Sequence, residues 1–187
     1  MRLFAAVLPP EEAVAELADE VRTLHALPTA GELRWTGHES WHFTLAFYGE
    51  VPEDVVPELR ERLARAAHRH GPYELRLAGG GRFGSRALWA GADGDREAMR
   101  HLADTASAAG RRAGVRFDDH RHFTPHLTIA RNRGDADLRP YVAELAEFAG
   151  SPWTVRELCL VRSHPPVAGV AGQQPRYETV GAWPLGE

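Results

Sequence analysis

Residues 41–49, WHFTLAFYG, and residues 125–133, PHLTIARNR, share one pattern, His-x-Thr-φ-Ala, in which φ is Leu45 or Ile129. Successive side chains of a strand face opposite sides, so His42 and Thr44 share one face while Phe43 and Leu45 take the other. The same alternation sets His126 and Thr128 against Leu127 and Ile129. Each stretch reads as a strand that buries its apolar pair and presents its polar pair. One copy carries little, since a half-buried strand with His and Thr on its wet face is commonplace. Two copies 84 residues apart, about half the chain, each followed by a helical pattern, point to two related lobes. If the lobes pack about a pseudo-twofold axis, both polar pairs line one cleft.

Outward from these stretches, strand and helix signals alternate. Leu3 to Leu8 is a short apolar run suited to a buried strand, and Pro9-Pro10-Glu11-Glu12 starts a helix through about Leu24. Its apolar positions Val14, Leu17, Val21 and Leu24 recur at spacings of three and four. Leu33 to Thr36 and Trp41 to Tyr48 read as a strand pair, and Pro52-Glu53-Asp54 opens a second helix to about His70, where Gly71-Pro72 stops it. Strands follow at Tyr73 to Ala78 and, after the turn-rich GGGRFGSR, at Ala87 to Ala90. A third helix spans roughly Asp95 to Arg111, a strand runs from His126 to Arg131, and a fourth helix covers Leu138 to Phe148. Val155 to Arg162 and Tyr177 to Trp183 close the chain as strands. Strands outnumber helices and are partly consecutive, which argues α+β with antiparallel pairing over a doubly wound parallel sheet.

The chain has 187 residues, 43% hydrophobic and 26% charged, enough to build a core without disulfides or a structural metal. Its single cysteine, Cys159, cannot form an internal bridge, which fits a reducing compartment. No apolar run approaches the roughly 18 residues of a membrane span, and the opening MRLFAAVLPPEEAVAEL lacks the length and cleavage site of a signal peptide. A cytoplasmic location follows as the expectation. Net charge is -4, so the whole molecule is no polycation, yet residues 111–133 hold six Arg against two Asp. Every basic residue is arginine, which excludes chemistry built on a lysine nucleophile or a P-loop lysine.

Two imidazoles facing one point suit in-line displacement at a phosphate diester near neutral pH. One removes a proton from the attacking water and the other protonates the leaving oxygen, tasks matched by a reference pKa of about 6.5. The hydroxyls of Thr44 and Thr128 can hold the non-bridging oxygens as phosphorus becomes five-coordinate. No convergent carboxylate cluster of the two-metal type is visible, so neither metal nor cofactor is expected.

These residues carry a resemblance. RLFAAVLPPEE, LRWTGHESWHFTLAFYGEV, GGGRFGSRALWAG, HFTPHLTIAR and the tail ELCLVRSHPP…PRYETVGAWPL resemble, in the same order from Arg2 to Leu185, the bacterial and archaeal RNA 2′,3′-cyclic phosphodiesterases. These are the LigT-like, or 2′-5′ RNA ligase, proteins of the 2H phosphoesterases. The resemblance implies a bilobal α+β fold of two pseudo-symmetric lobes of antiparallel sheet, with helices outside and a central cleft. On that basis residues 1–187 form a single domain of two intertwined lobes. It further implies hydrolysis of RNA 2′,3′-cyclic phosphate ends, such as those of tRNA fragments, to 2′-phosphomonoesters, and an ability to join RNA ends in vitro. Carried over, His42 is the proton donor and His126 the proton acceptor, with Thr44, Thr128 and Arg131 binding phosphate. Arg131 lies five residues after His126, so a regular strand would aim it away from Thr128, and a bulge or the strand's end must redirect it.

Two other readings stand beside this one: a diesterase for small cyclic nucleotides, and a non-catalytic protein that recognises RNA ends. His25, His38, His68, His70, His101 and His164 lie on apparent helices and loops without a partner motif and read as solvated surface residues. His120 and His122, flanking Arg121 beside Asp118 and Asp119, imply no third ligand for a metal. Arg131 and Arg121 are the arginines favoured to face phosphate. Trp35, Trp41, Phe47, Tyr48 and Phe83 read mainly as core, with room for one or two at the rim to stack on a nucleobase. The glycine-rich stretch at 168–174 reads as a surface turn, and a monomer is the default state.

Overall fold

The computed structural model describes residues 1–117, 123–166 and 174–186. Among them the chain forms β1 (Arg2–Val7), α1 (Glu11–Leu24), β2 (Leu33–Trp35), β3 (Phe43–Glu50), α2 (Val56–His68), β4 (Tyr73–Phe83), β5 (Ala87–Gly94), α3 (Arg96–Arg112), β6 (Leu127–Asn132), α4 (Arg139–Leu145), β7 (Trp153–Val155), β8 (Glu157–His164) and β9 (Arg176–Pro184). Local chemistry sets the helix starts. Pro57 and Pro140 sit in the first turns of α2 and α4, where a missing N–H costs nothing, and the Asp95 carboxylate accepts from Ala98 N–H at the head of α3.

The strands form two antiparallel sheets, ordered β3-β1-β8-β9 and β2-β6-β5-β4-β7. Each contains one motif strand, β3 in the first and β6 in the second, so the bilobal α+β architecture read from the sequence is the one observed. Two assignments need correction. The stretches 33–36 and 41–48 do not pair with each other: β2 pairs with β6 and β3 with β1, in different sheets. The expected strand 155–162 is also divided at Arg156, where Trp153–Val155 pairs with β4 and the following strand pairs with β1 and β9. Periodicity reports which side chains are buried and leaves open which sheet buries them. The glycine-rich GGGRF stretch, read as turn, is the far half of β4, with its turn delayed to residues 84–86. His120, His122, Arg121 and residues 168–173 lie outside the described residues.

The helices close the outer faces. α1 buries Ala13, Leu17, Val21 and Leu24, and α3 buries Met99, Leu102, Ala103, Ala106 and Ala109. Fully burying one Leu or Met side chain contributes about 1.5–3 kcal/mol. The contact that fixes motif strand β3 is between Tyr48 and α3. Tyr48 is buried, and its hydroxyl donates to the Ala106 carbonyl at 2.8 Å. Gly110 lets the helix come this close, because a Cβ there would lie 2.6 Å from Tyr48 Cε1. A glycine-to-alanine change inside a helix normally stabilises by about 1 kcal/mol. Here Gly110→Ala is expected instead to destabilise by about 1–3 kcal/mol through overpacking, read as a lower urea midpoint.

Candidate active site

His42 and His126 each stand one residue before their strands begin. Each ring is tied to the carbonyl two residues earlier. The Thr124 carbonyl takes a hydrogen bond from His126 Nδ1 at 2.8 Å, and the Ser40 backbone acts on His42 in the same sense. A carbonyl only accepts, so Nδ1 of His126 carries the proton and Nε2 keeps its lone pair. Aromatic neighbours fix the ring planes. His42 lies 4.6 Å from the Phe4 ring and 5.2 Å from Tyr177, and His126 meets Phe83 edge-on at 4.8 Å. Burial among these rings pushes His42 down to about 4, opposed by the Ser40 hydrogen bond and assisted by repulsion from His126. Burial also lowers His126, with the nearby Arg131 charge adding to the effect against the Thr124 hydrogen bond.

The strands that follow are interrupted alike. On β6, Thr128 pairs with Trp89 and Ala130 with Leu88, leaving Ile129 as an extra residue. On β3, Thr44 pairs with Ala6 and Ala46 with Ala5, leaving Leu45 extra. A one-residue bulge shifts the alternation by one, so the residue five positions after each histidine returns to the cleft face. That is the redirection Arg131 requires. In the first half the equivalent place is held by Phe47, which is 46% exposed and has the Arg2 guanidinium 5.3 Å above its ring.

Both motifs open onto one cleft of about 510 Å³, lined by His42, Thr44, His126, Thr128 and Arg131. All five sequence-derived candidates are therefore brought together. Arg2, Arg34 and Arg133 also line it, with no carboxylate among the described lining residues. A protein of net charge -4 thus concentrates positive charge where the imidazoles lie. Sequence reasoning missed Arg2, Arg34, Arg133, Ser163, Gln174 and Tyr177. The signal for Ser163 and Tyr177 was strand parity in β8 and β9, and for Arg133 the same parity carried one residue past the end of β6, usable once the bulge and the sheet partners are known. Of the aromatic candidates Phe47 lines the cleft, while Trp41 and Tyr48 are buried. None of His25, His38, His68, His70, His101 and His164 lines it. No group of three His, Cys, Asp or Glu suited to a metal occurs among the described residues.

One hydroxyl joins the two motifs. Thr36 follows β2, and its N–H donates to the Ile129 carbonyl at 3.0 Å, at the bulge itself. Its side chain donates to the Thr128 carbonyl at 3.1 Å and accepts from the Trp41 indole N–H at 3.0 Å. Trp41 is buried and directly precedes His42. Gln174 braces the same crossing, donating to the Trp35 carbonyl at 2.9 Å and accepting from Gly37 N–H at 3.4 Å. Thr36→Val keeps the shape but leaves the Trp41 indole and one acceptor site unpaired. The expected cost is about 1–3 kcal/mol in chemical denaturation, with Thr36→Ser recovering most of it.

Comparison with known proteins places the chain in a family and matches its fold. A family model described as the 2′-5′ RNA ligase superfamily matches residues 9–165. An RNA 2′,3′-cyclic phosphodiesterase of Geobacillus stearothermophilus is 34% identical over 156 residues, 81% of this chain and 47% of that one, so the chain spans about half the length of that relative. One of Thermus thermophilus is 33% identical over 178 residues, 87% of this chain and 82% of that one. A crystal structure of a Thermus thermophilus protein superposes over 100% of both chains, with TM-score 0.77 and 29% identity. Escherichia coli LigT complexed with 3′-AMP covers 100% of this chain and 98% of its own, at TM-score 0.77 and 26% identity. The matched stretch contains both motif strands, the bulges and the crossing that links them, and the chain belongs to the 2′-5′ RNA ligase superfamily.

Proposed function

We propose that this chain opens 2′,3′-cyclic phosphate ends of RNA to 2′-phosphomonoesters, with His126 as base and His42 as acid. The observation that carries the reading is the meeting of two similarly anchored imidazoles in one arginine-lined cleft. Relatives bearing the name RNA 2′,3′-cyclic phosphodiesterase support the substrate. Nε2 of His126 takes a proton from water, the water oxygen attacks phosphorus, the bond to O3′ breaks, and His42 gives its proton to that oxygen. Thr44, Thr128 and Arg131 hold the non-bridging oxygens as charge builds on them.

Both imidazoles are lowered in the free protein, so the acid role of His42 requires the charge of the bound substrate. Burial first, and the Arg131 charge after it, disfavour the His126 imidazolium, which suits a base. His42 and His126 repel when both are charged, which disfavours two protons in the cleft and adds to the burial that lowers His42. An incoming phosphate supplies the negative charge that raises His42 toward its working range. In-line attack puts O3′, the departing oxygen, on the His42 side, and Phe47 and Arg2 in that half of the cleft offer a face for the terminal base. A 5′-hydroxyl in place of water would yield a 2′-5′ bond by the same transfers.

The test uses an RNA ending in a 2′,3′-cyclic phosphate, incubated with chelator present. A 2′-phosphate product is expected, whereas a 3′-phosphate would reverse the leaving-group assignment. His42→Ala and His126→Ala should each lower turnover at least roughly 10²-fold, the low end for proton-transfer catalysis. His68→Ala, at an exposed position of α2, serves as the control. Near-normal rates in either motif variant would remove the mechanism. By NMR, the His42 ring should titrate near 4 in the free protein and at clearly higher pH when saturated with inorganic phosphate, because an adjacent anion favours the charged ring. No upward movement would count against phosphate lying beside it.

A further inference from the structure

The Ile129 bulge turns two arginines into the cleft, and the reacting group needs one. With the alternation shifted, Arg131 and Arg133 share the face of His126 and Thr128, while Asn132 between them points away. Asn132 is held on three sides. Its side-chain amide donates to the Ser85 and Ala136 carbonyls at 2.9 and 2.8 Å, and its oxygen accepts from Gly134 N–H at 3.2 Å. Its own N–H donates to the Arg86 carbonyl at 2.8 Å. The backbone carrying Arg133 is therefore fixed on both sides, although the side chain is exposed. Arg133 forms no ion pair with the described residues, and the neighbouring Asp137 is engaged by Arg139.

A cyclic phosphodiester carries one negative charge, which Arg131 and the paired hydroxyls can satisfy. Arg133 is the first residue after β6, and two residues of extended chain span at most roughly 7 Å. That step is comparable to the distance between phosphates on the 3′ and 5′ sides of one nucleotide in an extended strand. We infer that Arg133 forms a second anion subsite, one step from the reacting phosphorus, which takes the phosphate on the 5′ side of the terminal nucleotide. The inference rests on the hydrolase reading above and names the chemistry that separates an oligonucleotide end from a bare cyclic nucleoside phosphate. A guanidinium at this place grips the phosphate whatever base the nucleotide carries, so it adds affinity without sequence preference.

The experiment crosses two substrates with two variants. Adenosine 2′,3′-cyclic phosphate is compared with the same compound carrying a 5′-phosphate. The native protein should favour the 5′-phosphorylated compound at least roughly 10-fold in kcat/KM, the lower range for a hydrogen bond to a charged group. Arg133→Gln should bring that ratio close to one, whereas Arg131→Gln should lower both substrates together. A ratio that Arg133→Gln leaves unchanged overturns the subsite. Calorimetry provides a readout independent of turnover, with adenosine 2′-phosphate and adenosine 2′,5′-bisphosphate as probes. The bisphosphate should bind more tightly to the native protein, and Arg133→Gln should abolish the difference. Equal binding of the two probes to the native protein overturns the subsite. Absence of turnover on either cyclic compound removes the hydrolase reading and leaves the binding result to decide Arg133.

Discussion

The hydroxyl of Thr36 holds the two halves of the cleft at a fixed separation. The chain builds its two motif strands into separate sheets, so nothing in either ladder of backbone hydrogen bonds sets the distance between them. The crossing from β2 to β3 does. Thr36 is bonded to the backbone of Thr128 on one side and to the indole of Trp41 on the other, and His42 is the next residue after that indole. Short polar links of this kind suit a polar cleft wall, where a purely apolar contact would tolerate sliding. Two half-sites written far apart in the chain thereby face each other at a defined spacing.

Much of this was legible in the sequence, and the limits have physical causes. The repeated His-x-Thr stretches marked the strands, their polar faces and their shared cleft, because alternation along a strand is a local property. The need for a bulge was legible as well, from the odd offset of Arg131, although not its location. Partnership was not legible. Leu33–Trp35 and Phe43–Glu50 sit in different sheets, and the residues around Arg156 divide between them, because sheet membership is decided by contacts across the whole molecule. Arg2, Ser163 and Tyr177 were overlooked for the same reason: each is a lone polar or aromatic residue in a strand, and its place in the cleft of His42 exists only after β1, β8 and β9 have come together.

The hydrophobic floor beneath His42 links packing to chemistry. Phe4, Ala6, Cys159 and Val161 form a small buried cluster separate from the main core, with Tyr177 packed against it. This layer makes the surroundings of His42 dry enough to hold the imidazole neutral at rest. Burial there also pushes the Cys159 thiol up to about 11, so the chain's single sulfhydryl stays protonated beside the site. On the proposed function the arginines work in the opposite direction, drawing in an anion whose charge favours the protonated ring. On the proposed mechanism, charging of the acid is thereby coupled to arrival of the substrate.

A duplicated scaffold with matching imidazoles and hydroxyls would accept its ligand in two orientations related by the twofold, and the acid and base could trade places. The kinks at Leu45 and Ile129 break that equivalence, because they deliver unlike side chains, an aromatic ring from one half and a guanidinium from the other. That single mismatch gives the groove a head and a tail. On the proposed function, the ligand's flat, apolar portion and its charged portion each have one favourable end to occupy, and two like half-sites give handed recognition.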